Sequence, residues 1–286
     1  MIKFAIGTSQ YIKNYGLLKK SIKKKNFLQI IQKKIKNVNL IDTAPSYNSV
    51  EKIIGNYSNK NLKIITKFNK TNSKEINKKF EEIKEGFFES LINLDKKRIY
   101  AVLFHHREDI KILKNIAIKK KFNLLRKNLK LKVGFSSYDI NNIEKFLKIY
   151  KFDIIQIPLN PFNINKKKIL FLKKLKKKYK LEIHVRSIFL QGLGLQKISF
   201  FSKKFNLLKK KIIKIDNVAE KYKISRYDFY ISLIQSLNIV DYVIIGMASK
   251  KDLNSIKNIN FVKINNKDIY NFEIKNKRLI DPRFWD

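Results

Sequence analysis

Cysteine is absent from the 286-residue sequence. That excludes a disulfide framework, a thiol nucleophile and any cysteine-ligated zinc or iron–sulfur centre. Histidine is nearly as scarce. His105, His106 and His184 are too few for a histidine-rich metal site, so no metal is expected. Glycine (8) and proline (4) are rare, so each glycine that does occur carries information. Acidic residues number 23 against 64 lysines and arginines, a formal net charge of +41. No apolar run approaches bilayer length; Tyr242 to Ala248 is among the longest. The start, Met1-Ile2-Lys3-Phe4, lacks a signal-peptide pattern, so a soluble cytoplasmic protein with no membrane partner is expected.

What is abundant is lysine, with asparagine, isoleucine, phenylalanine and tyrosine, residues that share A/T-rich codons. Only seven of the basic residues are arginine, the side chain that reads phosphate and guanine bidentately. The lysines are spread along the chain, and clusters such as Lys23–Lys25, Lys119–Lys121 and Lys209–Lys211 read as solvated helix faces. The charge therefore reflects composition and no specific nucleic-acid partner, although its field attracts any anion.

Short apolar segments alternate with longer, lysine-rich segments of helical period. Strands are predicted at Ile2–Ile6, Asn39–Ile41, Lys63–Thr66, Tyr100–Phe104, Lys132–Phe135, Ile154–Ile157, Glu182–Val185 and Tyr242–Ile245. Helices are predicted at Phe27–Lys36, Val50–Tyr57, Ser73–Leu94, Ile110–Lys127, Asn141–Tyr150, Lys166–Tyr179, Phe205–Tyr222, Ser225–Leu237 and Lys250–Ile256. The strands are apolar on both alternating sets, as in a parallel sheet covered on both faces. Eight such units with no linker predict one α/β domain over residues 1–286, a (β/α)8 TIM barrel. A doubly wound open sheet usually carries G-x-G-x-x-G after its first strand; Gly7-Thr8-Ser9-Gln10 does not match.

In a barrel, chemistry collects where the strands end. Strand two ends in Asp42, followed by a segment reaching Tyr47; strand three ends in Lys67 and strand four in His105-His106. Together these residues suit carbonyl reduction. A hydride arriving at a carbonyl carbon leaves an oxyanion that needs a proton. Tyr47 can supply it once its pKa, ordinarily about 10, is lowered by the Lys67 ammonium. Asp42 would hold Lys67 charged, and His105 would orient the carbonyl. No side chain supplies a hydride, so a nicotinamide cofactor is required.

These residues resemble the aldo-keto reductases over nearly the whole chain. Asp42-Thr43-Ala44-Pro45-Ser46-Tyr47, continuing to Glu51 and Gly55, is similar to that family's D-T-A-x-x-Y-G-x-S-E-x-x-x-G signature. Lys67 and His105 match its other catalytic positions. The segment Val185–Gly192 resembles the V-R-S-x-F-L-Q-G stretch of one bacterial branch. The resemblance implies that Ser136, Ser137 and Gln156 hold the nicotinamide carboxamide, with Gly7 and Thr8 at the end of the first strand. It places Arg186, Ser187, Phe189, Gln191 and Gly192 along the nicotinamide and pyrophosphate, and Gly246, Ser249 and Lys250 at the adenosine phosphate.

The chain also departs from the family. Asn48 stands for a common glycine, Ser137 for an asparagine, and Arg186 for a ring that stacks on the nicotinamide; its charge suits an acidic substrate or a phosphate. The arginine that grips a 2′-phosphate is missing, leaving Lys250 and Lys251. NADP(H) is expected, with NAD(H) the alternative, and a monomer acting on a small carbonyl substrate. No N-terminal hairpin is expected before strand one, and the short C-terminal tail to Asp286 implies an open substrate pocket.

Three further positions have plain structural readings. His106 is expected to support His105, and His184 to be a hydrogen-bonded wall residue. Gly192 and Gly194 either admit the pyrophosphate or merely allow positive φ. Two other functions fit the same fold: a lyase or aldolase using Lys67 as a Schiff base, and a catalytically silent nucleotide- or nucleic-acid-binding barrel.

Overall fold

In the computed structural model, eight parallel strands hydrogen-bond in chain order and β8 closes onto β1. They are β1 (Lys3–Gly7), β2 (Val38–Asp42), β3 (Lys63–Phe68), β4 (Ile99–Phe104), β5 (Lys132–Ser136), β6 (Ile154–Pro158), β7 (Glu182–Arg186) and β8 (Tyr242–Gly246). The structure describes residues 2–11, 22–47, 49–95, 99–247 and 249–285. Asn48, Ala248 and the side chain of Lys250 lie outside them.

Side-chain alternation explains why the strands read as continuous apolar runs. One set fills the barrel: Ala5, Leu40, Ile65, Leu103, Ile154 and Ile244. The other faces the helices, with Phe4, Ile6, Ile41, Ile64, Val102 and Phe104 in the outer core. Most strands extend a residue or two beyond the apolar run. Asp42, Ser136, Arg186 and Gly246 still make ladder bonds, because pairing uses the backbone whatever the side chain. Those added residues carry the polar groups of the upper mouth.

The lower mouth is plugged at the first strand residues. Tyr100 donates to Glu182 at 2.7 Å, and Lys132 donates to both. Above this plug, buried His184 contacts Glu182 at 3.0 Å through Nε2, the hydrogen bond expected of it, while Nδ1 has no partner among the described residues.

The surrounding helices are α1 (Lys24–Ile31), α2 (Val50–Tyr57), α3 (Ile76–Leu94), α4 (Ile116–Asn128), α5 (Ile143–Ile149), α6 (Lys166–Tyr179), α7 (Asn206–Lys221), α8 (Arg226–Ser236) and α9 (Lys250–Lys257). The single helix predicted over Ile110–Lys127 is two pieces. A 3₁₀ segment, Arg107–Lys114, stops at Asn115, whose side chain accepts from the Ile118 amide at 3.1 Å and starts α4 afresh. The tail adds two short turns, α10 (Asn266–Ile269) and α11 (Lys277–Ile280), before Arg283 returns to the upper mouth. Among the described residues, no helix is long and apolar enough to cross a membrane.

Candidate active site

Parallel register brings the polar strand ends together. The Lys67 ammonium lies 2.7 Å from Asp42 Oδ1 and donates to the Thr43 carbonyl at 2.7 Å. The other carboxylate oxygen, Oδ2, accepts from Gln156 Nε2 at 2.7 Å. Lys67 is 2% exposed and Asp42 5%, so this is an ion pair in a nearly dry setting. Burial alone pushes the Lys67 pKa down; the Asp42 carboxylate and the Tyr47 phenol outweigh it, and the net shift is upward.

Tyr47 follows a turn closed by its own amide on the Ala44 carbonyl at 3.0 Å. This places its ring centre 5.4 Å from Lys67 Nζ. Across the ring stands His105, perpendicular at 83° with centroids 6.2 Å apart. His105 is partly buried beside cations. Desolvation, then Lys67, His106 and Arg186, lower its pKa from 6.5 to about 3, so its ring is neutral at ordinary pH.

A cavity of about 1230 Å³ opens over these groups, larger than the roughly 300–1,000 Å³ typical of a drug-sized ligand. Asp42, Tyr47, Lys67 and His105 all line it. So do Gly7, Ser136, Ser137 and Gln156 from the strand ends, Arg186, Ser187, Phe189, Gln191 and Gly192 from the loop after β7, and Gly246 and Ser249 after β8. Thr8 does not. Its hydroxyl and amide turn to the Asp42 carbonyl, both at 3.1 Å, and fasten β1 to β2. The Ser137 hydroxyl is held by Asp139, donating to its carbonyl at 2.9 Å. His106 also borders the cavity, 5.3 Å from His105 between ring centres.

Sequence reasoning missed several lining residues: Gln10, Arg107, Tyr138, Tyr227, Asp252 and Arg283. They stand on loops, at the starts of helices or in the tail, where no periodicity marks them. The short tail nevertheless reaches the mouth. The Arg283 and Arg186 guanidinium carbons each lie 4.1 Å from the Tyr138 ring centre.

The two remaining signature residues are scaffold. Glu51 is buried in α2 and accepts from Thr66 at 2.5 Å and Ser90 at 3.0 Å, joining β3 to α3. Burial raises its pKa. Gly55 lets α2 touch α3: a Cβ there would sit 2.0 Å from the Asn93 carbonyl oxygen.

The cavity suits a long polar ligand. Gln10 Oε1 and the Tyr227 hydroxyl are buried without a hydrogen-bond partner among the described residues, and both residues line it. Ser187, Leu190, Gln191 and Gly192 all have positive φ, the concentration of backbone strain found at ligand sites. Gly192 therefore does need its glycine freedom, at φ 87°, whereas Gly194 makes room for the Tyr230 hydroxyl. The N-terminus of α9 also meets the cavity, with Ser249 and Asp252 closing its capping box and Lys251 beside them. These features fit a nicotinamide dinucleotide.

The family model "Aldo/keto reductase family" matches residues 3–277, and the chain belongs to that family. Among solved structures it is similar to a glycerol dehydrogenase from Gluconobacter oxydans, at TM-score 0.72 and 16% identity over 98% of this chain and 92% of the other. An aldo-keto reductase of Bombyx mori in complex with NADP gives 0.64 and 16% over 99% and 94%. An aldo-keto reductase from a Medee basin deep-sea metagenome library gives 0.61 and 15% over 94% and 88%. At these identities the likeness speaks for the fold. No curated protein matches the sequence.

Proposed function

We propose that the protein is an NAD(P)H-dependent reductase of aldehydes or ketones, with Tyr47 as the proton donor. The observation that carries this reading is the Lys67 ammonium, fixed at 2.7 Å by Asp42 and 5.4 Å from the centre of the Tyr47 ring. A bound reduced nicotinamide supplies the hydride to the carbonyl carbon. The Tyr47 hydroxyl gives its proton to the carbonyl oxygen, and the phenolate left behind is stabilised by Lys67. Neutral His105 donates a hydrogen bond to the same oxygen and sets the face of the carbonyl. Asp42 keeps Lys67 charged, and Gln156 keeps Asp42 aimed.

Ser136, Ser187, Phe189, Gln191, Gly192, Gly246 and Ser249 would hold the cofactor, with Gln156 and Arg186 at its nicotinamide end. Lys250 and Lys251 supply charge for a 2′-phosphate, which favours NADP(H). The Schiff-base reading is disfavoured, because an ammonium whose pKa is raised by a buried carboxylate is a poor amine nucleophile.

Titration of purified protein with NADPH and NADH, followed by nicotinamide fluorescence at low and high salt, tests the cofactor site. Saturable, salt-tolerant binding supports the reading. Binding that vanishes with salt moves the charge-driven alternative to the front. Tyr47→Phe is expected to bind cofactor and lose carbonyl reduction; retained turnover rejects Tyr47 as the acid.

A further inference from the structure

Arg186 ends β7 inside the upper mouth, partly buried, at the level of the reacting residues. Every other arginine of the cavity has a carboxylate. Arg107 lies 3.6 Å from Asp139, and Arg283 is paired with Asp281 through two nitrogens. Lys67 has Asp42. The Arg186 guanidinium has neither an ion-pair partner nor a hydrogen-bond acceptor among the described residues. Its contact is the Tyr138 ring, 4.1 Å away, with Arg283 at 4.1 Å from the same ring. A face contact of this kind consumes no N–H donor.

A half-buried guanidinium with unused donors is costly unless an acceptor arrives with the ligand. Its charge acts on His105 and Lys67, and on the Asp281 carboxylate that Arg283 holds. A reduced nicotinamide ring beside it carries no anion, so a negatively charged acceptor at this point would come with the molecule being reduced.

We infer that Arg186 is an anion subsite for the substrate, and that the preferred substrate is a short aldehyde or ketone carrying a carboxylate or phosphate group. The Tyr138 ring, which also contacts Arg283, holds the guanidinium at the cavity. This inference rests on the reductase reading for its carbonyl, but the anion site itself does not.

The test uses matched pairs that differ only in the anion. Succinic semialdehyde against butyraldehyde probes a carboxylate, and glyceraldehyde 3-phosphate against glyceraldehyde probes a phosphate. Hydrogen bonds to charged groups imply a preference in kcat/KM of about 10- to 100-fold for the anionic member of one pair, and that pair names the anion. The ratio should fall to within about threefold of unity in Arg186→Met and Arg186→Gln, and Arg186→Lys should keep part of it. Taking a ratio cancels any common effect of the substitution on cofactor binding. A wild-type ratio near unity for both pairs, or a ratio unchanged in the variants, overturns the subsite.

If neither member of either pair oxidises the nicotinamide, the reductase reading fails, and calorimetry with succinate and inorganic phosphate decides the anion site alone. Binding about tenfold or more weaker in Arg186→Met upholds it. Equal binding, or none, overturns it.

Discussion

Gln156 Nε2 and Lys67 Nζ grip opposite oxygens of one carboxylate, Asp42, each at 2.7 Å. The residue that a family resemblance assigns to the cofactor thus spends a donor on the Asp42–Lys67 ion pair. In Gln156→Leu, Asp42 Oδ2 is left buried without that partner. The expected loss of stability is about 1–3 kcal/mol, read by chemical denaturation. An unchanged midpoint would show that the bond contributes nothing.

Asp42→Asn strands the Lys67 ammonium. Removing one partner of a buried pair costs about 3–5 kcal/mol. In the native chain the Lys67 pKa is raised above 10.5, so its contribution is complete below that pH and is lost as pH rises through the folded value. Thermal unfolding from pH 8 to 11 is expected to show the variant destabilised throughout and lacking the native alkaline decline.

His105 is expected to stay neutral from pH 5 to 8, because its pKa is lowered from 6.5 to about 3. The sign follows directly: the unfolded chain takes up a proton that the folded one refuses. The stability is present above pH 6.5 and declines as pH falls toward 3. Imidazole NMR shifts that do not move between pH 5 and 8 are the expected result; a midpoint near 6.5 contradicts it.

Tyr47→Phe is expected to lower kcat by about 10²- to 10⁴-fold while leaving the Kd for the reduced cofactor within a factor of a few. Single-turnover kinetics with saturating cofactor separate the two effects.

Replacing Lys250 and Lys251 together by alanine is expected to raise the Kd for NADPH roughly 3- to 10-fold and to leave NADH unchanged. The difference should shrink as salt screens the charge. Fluorescence titration of both cofactors in two salt concentrations checks this.

Gly55→Ala is a purely structural probe. Its Cβ meets a backbone oxygen at 2.0 Å, and backbone cannot rotate away, so α2 must shift. A loss of about 1–3 kcal/mol or more is expected, against the small gain that alanine brings to an unobstructed helix.

The barrel was legible in the pattern of residues alone. Eight apolar runs with both faces buried admit few architectures. Asp42, Lys67 and His105 were legible because each stands at or just past the end of such a run, where the period breaks into a polar residue. Tyr47 was legible through the motif that follows β2. How the polar groups are spent was not legible there. Thr8 turns to β2, Ser137 to Asp139 and Gln156 to Asp42, because a hydroxyl or amide takes whichever partner lies within hydrogen-bond reach, and reach is set by packing. Tyr138 and Arg283 come from segments with no period to read, and Tyr227 from a helix whose period does not show that it meets the cavity; only the folded chain brings all three there. That Arg186 has no ion-pair partner among the described residues is likewise invisible in one dimension, since pairing is set by everything that surrounds a charge.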